Sequence, residues 1–245
     1  MIDLHAHLLP GVDDGPPDLP GTLALASAAV AGGTRVMAAT PHIGFQHGVA
    51  PGELAGRVAA VREALAREGI ALEAVTGGEL APDRTLDLTD DELRAVALGD
   101  SRCILLECPF TRAGDLMARL VAHLQMKGYR VLLGHPERSP TFLADLDELA
   151  ELVRRGAFAQ LTAGSLRGDF GRTVQRGARG MLERGLAHVV ASDVHAATGR
   201  SPSLDAGLTP AHATLLCETA PRALLADADV PAPPVAARRR RWLGR

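Results

Sequence analysis

His5 and His7 are separated by a single residue. In an extended segment, side chains at i and i+2 leave the same face, so the two imidazoles stand next to each other. Alone, such a pair is a weak metal signal, because two loop histidines look the same. The signal strengthens with what ends the other apolar runs. Thr40-Pro41-His42 ends one and Gly77-Gly78-Glu79 another; Glu107, His135 and the pair Asp193 and His195 end three more. The steps from His5 to His42 and from His42 to Glu79 are both 37 residues, and those from Glu79 to Glu107 and from Glu107 to His135 are both 28. A donor residue after each of six of seven apolar runs is poorly explained by scattered surface residues. Imidazole and carboxylate donors together suit Zn, Mn, Fe and similar ions. There are more donors than one ion can use, so two or three ions sharing carboxylates are expected. Close metal ions stabilise both the attacking and the leaving oxygen of a phosphoryl displacement.

Such donors can meet only if the elements before them run side by side. The apolar runs fall at residues 2–7, 35–40, 71–76, 103–107, 129–134, 157–162 and 188–192. Their length and near-continuous apolar character fit strands buried on both faces. Amphipathic helical patterns at residues 53–68, 114–127 and 145–155 lie between some of them. Alternating strands and helices argue for right-handed parallel β-α units. Seven such units suggest an α/β barrel close to the eight-fold type, whose strand ends converge on one point at the C-terminal face.

Composition bounds the rest. The 245 residues suffice for one large domain, with a hydrophobic fraction of 47% that can fill a sizeable core. Arg238, Arg239, Arg240, Arg241 and Arg245 crowd the C-terminal end, so the body of the chain is more acidic than the formal net charge of −3 indicates. Residues 1–227 read as one catalytic domain, and residues 228–245 as a Pro/Ala linker with an Arg-rich tail. The tail carries two readings, electrostatic contact with an anionic membrane or acidic partner and a solvated end. No nucleic-acid partner is expected. Cys103, Cys108 and Cys217 form no C-x-x-C pair, which excludes a zinc ribbon and a thioredoxin-type motif. Sparse, odd cysteines, with no signal-like or membrane-spanning run, point to the cytoplasm. None of the three cysteines is followed by Arg six residues on, so phosphocysteine chemistry of the C-x5-R type is excluded. A phosphate-binding G-x-x-x-x-G-K-[S/T] loop is missing too.

The opening Met-Ile-Asp-Leu-His-Ala-His-Leu-Leu-Pro-Gly-Val-Asp-Asp-Gly-Pro, together with Thr-Pro-His, Gly-Gly-Glu-Leu, Gly-His-Pro-Glu-Arg and Ser-Asp-Val-His, resembles the polymerase-and-histidinol-phosphatase (PHP) superfamily. The branch most similar is that of bacterial manganese-dependent protein tyrosine phosphatases of capsule and exopolysaccharide synthesis. The resemblance spans roughly residues 1–225. It implies a distorted (β/α)7 TIM-like barrel, the PHP fold. It implies two to three divalent ions, Mn2+ first with Fe or Zn as alternatives, on His5, His7, Asp14, His42, Glu79, Glu107, His135, Asp193 and His195. Asp13 remains the alternative to Asp14. It also implies phosphate-binding arginines, Arg138 and Arg200, and a substrate that is a phosphotyrosine protein, a bacterial tyrosine kinase of polysaccharide synthesis. The reaction expected is attack on phosphorus by a metal-bound hydroxide, with planar guanidinium groups holding the phosphate. Alternatives are a small-molecule phosphatase of the histidinol-phosphatase type and a non-enzymatic, metal-stabilised binding or proofreading module. Cys108 stands where the family often has an aromatic or other apolar residue.

Other polar residues carry weaker expectations. His47 reads as a surface histidine with a lesser chance of reaching substrate, and His123 as an exposed helix residue. Asp3 and Glu137 read as partners behind the ligands, and Thr162-Ala163-Gly164-Ser165 as a pocket lining without ligation. His188 and His212 have no supporting motif.

Overall fold

The computed structural model describes residues 1–46 and 49–234. Nine strands, all parallel where they pair, make up its sheets: β1 (Ile2–Ala6), β2 (Val36–Ala39), β3 (His42–Ile43), β4 (Glu73–Thr76), β5 (Glu79–Leu80), β6 (Cys103–Glu107), β7 (Arg130–Gly134), β8 (Phe158–Thr162) and β9 (Val189–Ala191). The helices are α1 (Leu19–Ala31), α2 (Leu54–Arg67), α3 (Asp90–Val96), α4 (Leu116–Met126), α5 (Pro140–Ala144), α6 (Leu146–Arg154), α7 (Ala163–Arg167), α8 (Arg172–Glu183), α9 (Pro210–Thr214) and α10 (Ala220–Leu225).

The nine strands occupy seven staves, because β2 restarts as β3 and β4 restarts as β5. One sheet runs β1-β2-β4 and the other β3-β5-β6-β7-β8-β9. The restarts tie them together, since Glu79 N–H donates to Pro41 C=O at 2.9 Å. The last stave returns to the first through a parallel bridge between Ala6 and Val194. There Asp193 N–H donates to His5 C=O at 2.8 Å and His7 N–H to Val194 C=O at 2.9 Å. The Asp3 carboxylate adds a buried cross-link by accepting from Ser192 N–H at 3.1 Å. This is the distorted seven-stave barrel expected from the sequence, with its seam closed at the C-terminal end of the strands.

Leucine, valine and alanine side chains of the strands pack inside and against the surrounding helices, where they form two buried apolar clusters. The three helices anticipated from periodicity are α2, α4 and α6, with boundaries shifted by one or two residues. α1 lacks a polar face, being mostly alanine and leucine, so periodicity does not reveal it. Its start is marked instead by Asp18, whose carboxylate accepts from Gly21 N–H at 2.9 Å as an N-cap. Thr89 and Glu92 form a reciprocal capping box at the start of α3.

Beyond α10, Arg130 donates to Ala228 C=O at 3.0 Å and Val230 packs on the lower apolar cluster. The first residues of the segment read as a linker therefore lie against the barrel. His47 and the arginines of the tail lie outside the described residues.

Candidate metal centre

Six of the seven staves deliver a donor, several of them by a visible local device. On β1, alternation places His5 and His7 inward, and both are fully buried. The break between β4 and β5 depends on glycine. A Cβ on Gly77 would lie 2.8 Å from Leu98 Cδ2, and one on Gly78 would lie 2.7 Å from Ile43 Cγ1. Only glycine allows the chain to pass there and restart with Glu79 facing the interior. At the ends of β7 and β9, His135 and Asp193 take left-handed backbone conformations, with φ of 41° and 50°. Non-glycine residues held there carry strain of about 1–3 kcal/mol each, a pattern that clusters at functional sites.

The result is a convergent set. Glu79 lies at its centre: Oε1 is 2.9 Å from His135 Nε2, and Oε2 is 3.0 Å from His42 Nδ1, 3.3 Å from His5 Nε2 and 3.4 Å from His7 Nε2. Asp193 Oδ1 lies 3.4 Å from His5 Nε2 and 3.6 Å from His7 Nε2. Four overlapping groups have donor atoms within 4.8 Å of one another: His7, Asp14, His42 and His195; His5, His7 and Asp193; His5, Glu79 and His135; His42, Glu79 and Glu107. Every one of the nine donors singled out in the sequence falls in at least one group. The adjacent aspartates separate clearly. Asp14 Oδ1 lies 3.3 Å from His195 Nε2 and 3.5 Å from His42 Nε2. Asp13 turns away, accepting from His7 Nδ1 at 2.7 Å, Gly15 N–H at 2.9 Å and His42 N–H at 3.1 Å.

The electrostatics follow from this crowding. Burial opposes ionisation of Glu79, but the His5 charge and the close imidazoles of His135, His42 and His5 hold its carboxyl well below the usual range. Burial likewise opposes ionisation of Asp193, yet His5, His7 and His135 hold it low. His5 would be depressed by burial, but Glu79 and then Asp193 raise it to about 9. Glu107 is raised by burial and by the like charge of Glu79. His195 is lowered to about 4 by burial and the neighbouring His7, on which it stacks with centroids 3.8 Å apart.

The donor set fits divalent cations. His5 Nε2, His7 Nε2, Glu79 Oε2 and His135 Nδ1 are buried side-chain atoms with no hydrogen-bond partner. Leaving such atoms unsatisfied costs about 1–3 kcal/mol each. Three of them face one another across the centre, and a cation placed among them satisfies all three. The far nitrogens of the same rings are anchored as metal-binding imidazoles usually are. His7 Nδ1 is held by Asp13 and His5 Nδ1 by Gln160 Oε1 at 2.9 Å.

Gln160 escaped the sequence reading. Its signal was available: it is the one polar residue inside an apolar strand, and it is fully buried. Its Oε1 also accepts from His135 N–H at 3.3 Å. Asp3 bonds the backbone of a donor residue, whereas Glu137 bonds the end of β8. Asp3 accepts from His5 N–H at 3.2 Å, and burial raises it to about 6. Glu137 accepts from Thr162 N–H at 2.9 Å. Cys108 belongs to the apolar core, where burial raises its thiol well above the usual range, and it enters none of the donor groups. His123 is half-buried rather than exposed.

Two arginines border the centre. Arg138 bonds Asp193 Oδ2 through Nη1. Arg200 Nη1 reaches the same oxygen at 3.2 Å, Asp193 C=O at 3.0 Å and His195 Nδ1 at 3.1 Å. Alongside lies a cavity of about 540 Å³ whose walls include His42, Glu107, Phe45, Phe110, Pro82 and Pro109. The Phe110 ring stacks on His135, centroids 5.4 Å apart.

Comparison with known proteins agrees with this geometry. Tyrosine-protein phosphatase YwqE of Bacillus subtilis is 37% identical over 202 residues, covering 80% of this chain and 77% of YwqE. Tyrosine-protein phosphatase CpsB of Streptococcus pneumoniae is 28% identical over 210 residues, covering 82% of this chain and 86% of CpsB. A crystal structure from work on YwqE and CpsB, described as metal-dependent tyrosine phosphatases, superposes with a TM-score of 0.86 at 31% identity, covering 98% of this chain and 100% of the other. The family model for capsular polysaccharide synthesis, CpsB/CapC, matches residues 1–220. The chain therefore belongs to the CpsB/CapC family of capsular polysaccharide synthesis.

Proposed function

We propose that this protein is a metal-dependent tyrosine-protein phosphatase that hydrolyses phosphotyrosine in a protein substrate. The observation that carries this reading is the convergence of five imidazoles and four carboxylates on one barrel mouth, beside two arginines, in a chain 37% identical to a tyrosine-protein phosphatase. His5, His7, Asp14, His42, Glu79, Glu107, His135, Asp193 and His195 are the proposed ligands of two to three divalent ions, manganese first. Divalent cations there supply charge to the phosphate oxygens and activate water for attack.

The chain's own residues do the rest. Asp13 and Gln160 fix the rings of His7 and His5 so that Nε2 of each points to the centre. Arg138 and Arg200 present guanidinium groups to one side of it, matched to the oxygens of a phosphoryl group. The neighbouring cavity, with Phe45, Phe110, Pro82 and Pro109 in its walls, offers a phenyl ring apolar surface within reach of the cluster. A tyrosine kinase of the capsule-synthesis machinery is the proposed substrate, in keeping with the family's role. Three buried, free cysteines support a reducing compartment, the cytoplasm. Among the described residues no helix is long and apolar enough to cross a membrane.

The test is hydrolysis of a phosphotyrosine peptide, with histidinol phosphate and phosphoserine peptide as contrasts, on protein of measured metal content. Chelation should abolish turnover and added Mn2+ should restore it. Full activity after complete metal removal, or preference for histidinol phosphate, would overturn the proposal.

A further inference from the structure

Phe170 lies outside every donor group, yet it touches both arginines. Its ring centroid is 4.7 Å from Arg138 Cζ and 5.2 Å from Arg200 Cζ. Arg138 meets a second ring, Phe110, at 4.8 Å. Phe110 in turn stacks on His135 with an interplanar angle of 10°. A chain of contacts thus borders the cluster: His135 and Phe110 stacked ring on ring, then Arg138, Phe170 and Arg200, with both arginines also bonded to Asp193. Each guanidinium is attracted by the ring's quadrupole. Asp193 Oδ2 draws one nitrogen of each guanidinium to the same point, and the shared ring offsets the repulsion of the two like charges and fixes the planes of their outer nitrogens.

The Phe170 ring is itself held in place. A Cβ on Gly164 would lie 3.1 Å from Phe170 Cε2, so the glycine after β8 leaves the space the ring edge uses. Arg167 braces the same loop. Its guanidinium pairs with Asp169 at 3.1 Å and donates to the backbone carbonyls of Ser203 at 3.1 Å and Asp205 at 3.0 Å. The loop carrying Phe170 and the segment that follows Arg200 are therefore pinned to each other.

We propose that Phe170 is a positioning residue for phosphate, its ring fixing the two guanidinium groups side by side as a preformed anion slot. This rests on the reading of Arg138 and Arg200 as the phosphate-holding pair. Phe170 is not itself one of the donors; it acts through the arginines. The Thr162-Ala163-Gly164-Ser165 stretch acquires a role by it, since Gly164 is the seat of that ring.

Binding of inorganic phosphate to manganese-loaded protein, measured by titration calorimetry, tests this directly. Phe170→Leu keeps apolar bulk and removes the π face. It should weaken phosphate binding roughly fivefold to thirtyfold, the worth of two cation–π contacts. Metal content and thermal midpoint should stay at wild-type values. Phe170→Tyr keeps the face and should bind within about twofold of wild type. Unchanged affinity in Phe170→Leu overturns the proposal, and so does a Phe170→Tyr variant as weak as the leucine one. A leucine variant that loses metal and thermal stability together assigns Phe170 to the fold instead. Wild-type protein that binds no phosphate removes the slot altogether. Phosphate binding is read without turnover, so failure to hydrolyse phosphotyrosine would defeat the proposed reaction and leave this inference standing.

Discussion

Glu79→Gln is the most informative single change, because the residue participates in two of the four donor groups and is fully buried. The substitution preserves shape, removes one negative charge, and turns one acceptor oxygen into a donor among His5, His7, His42 and His135. Two consequences follow at different levels. With metal present, the groups built on His5 with His135 and on His42 with Glu107 each lose their shared carboxylate. The group of His7, Asp14, His42 and His195 keeps all its donors. The variant should bind one to two fewer ions per chain than wild type and lose phosphotyrosine hydrolysis. Without metal, Glu79 is the foremost carboxylate that raises His5 to about 9 against the pull of burial. A histidine whose folded-state value lies above its ordinary 6.5 stabilises the fold fully below pH 6.5, and that contribution fades as pH rises through about 9. The rise corresponds to about 3 kcal/mol, in line with removing one partner of a buried ion pair. Metal-free Glu79→Gln should therefore melt roughly 6–12 °C below metal-free wild type at pH 6. The gap should close towards pH 10. Metal analysis of gel-filtered protein and thermal unfolding with and without chelator read both effects. Wild-type metal content in the variant, or a metal-free melting gap that grows with pH, would refute the placement of Glu79 at the centre.

The two aspartates should separate by metal stoichiometry: Asp14→Asn should lose an ion even at saturating Mn2+, whereas Asp13→Asn should keep the full complement and bind it about 10–100-fold more weakly. Equal stoichiometry in both variants would reverse their roles. Gln160→Leu should weaken metal binding by about the same 10–100-fold, because His5 Nδ1 and His135 N–H lose their acceptor; unchanged affinity would show that the ring needs no such anchor. His188 supplies a pH signature remote from the centre. Burial lowers it to about 4, and its Nδ1 accepts from Ala159 N–H at 3.2 Å, so the neutral form is the folded form. Between pH 6.5 and 4 the unfolded chain binds the extra proton, so stability present above pH 6.5 should fall by about 2 kcal/mol at pH 5. Denaturant unfolding of His188→Gln should lack that component; an identical pH profile in the variant would disprove it.

Much of this protein was legible in the linear order of its residues. The seven apolar runs coincide with β1, β2, β4, β6, β7, β8 and β9 to within a residue or two at each end, because strands buried on both faces must be apolar throughout; the restarts β3 and β5 lie beyond them. The donors were legible because a parallel barrel delivers strand ends to one face, so a His, Asp or Glu after each run is already a statement about space. α2, α4 and α6 were legible from their apolar stripes. α1 was not, since a helix of alanine and leucine buried against the barrel has no polar face to create a period. Tertiary structure alone decided the rest. Asp13 and Asp14 are chemically identical neighbours, and only the path of the loop after β1 turns one towards His7 Nδ1 and the other towards His42 and His195. Gln160 lies 155 residues from His5 and 25 from His135, and its pairing with them exists because β8 adjoins β7 and the barrel closes the end of β9 onto β1. The contacts among Phe110, Arg138, Phe170 and Arg200 join four separate segments, each following a different strand. Local sequence dictates which elements form and what their ends carry, since periodicity and donor chemistry are short-range properties. Which side chain faces which across the barrel mouth depends on register, loop path and packing, and these exist only once the staves have closed.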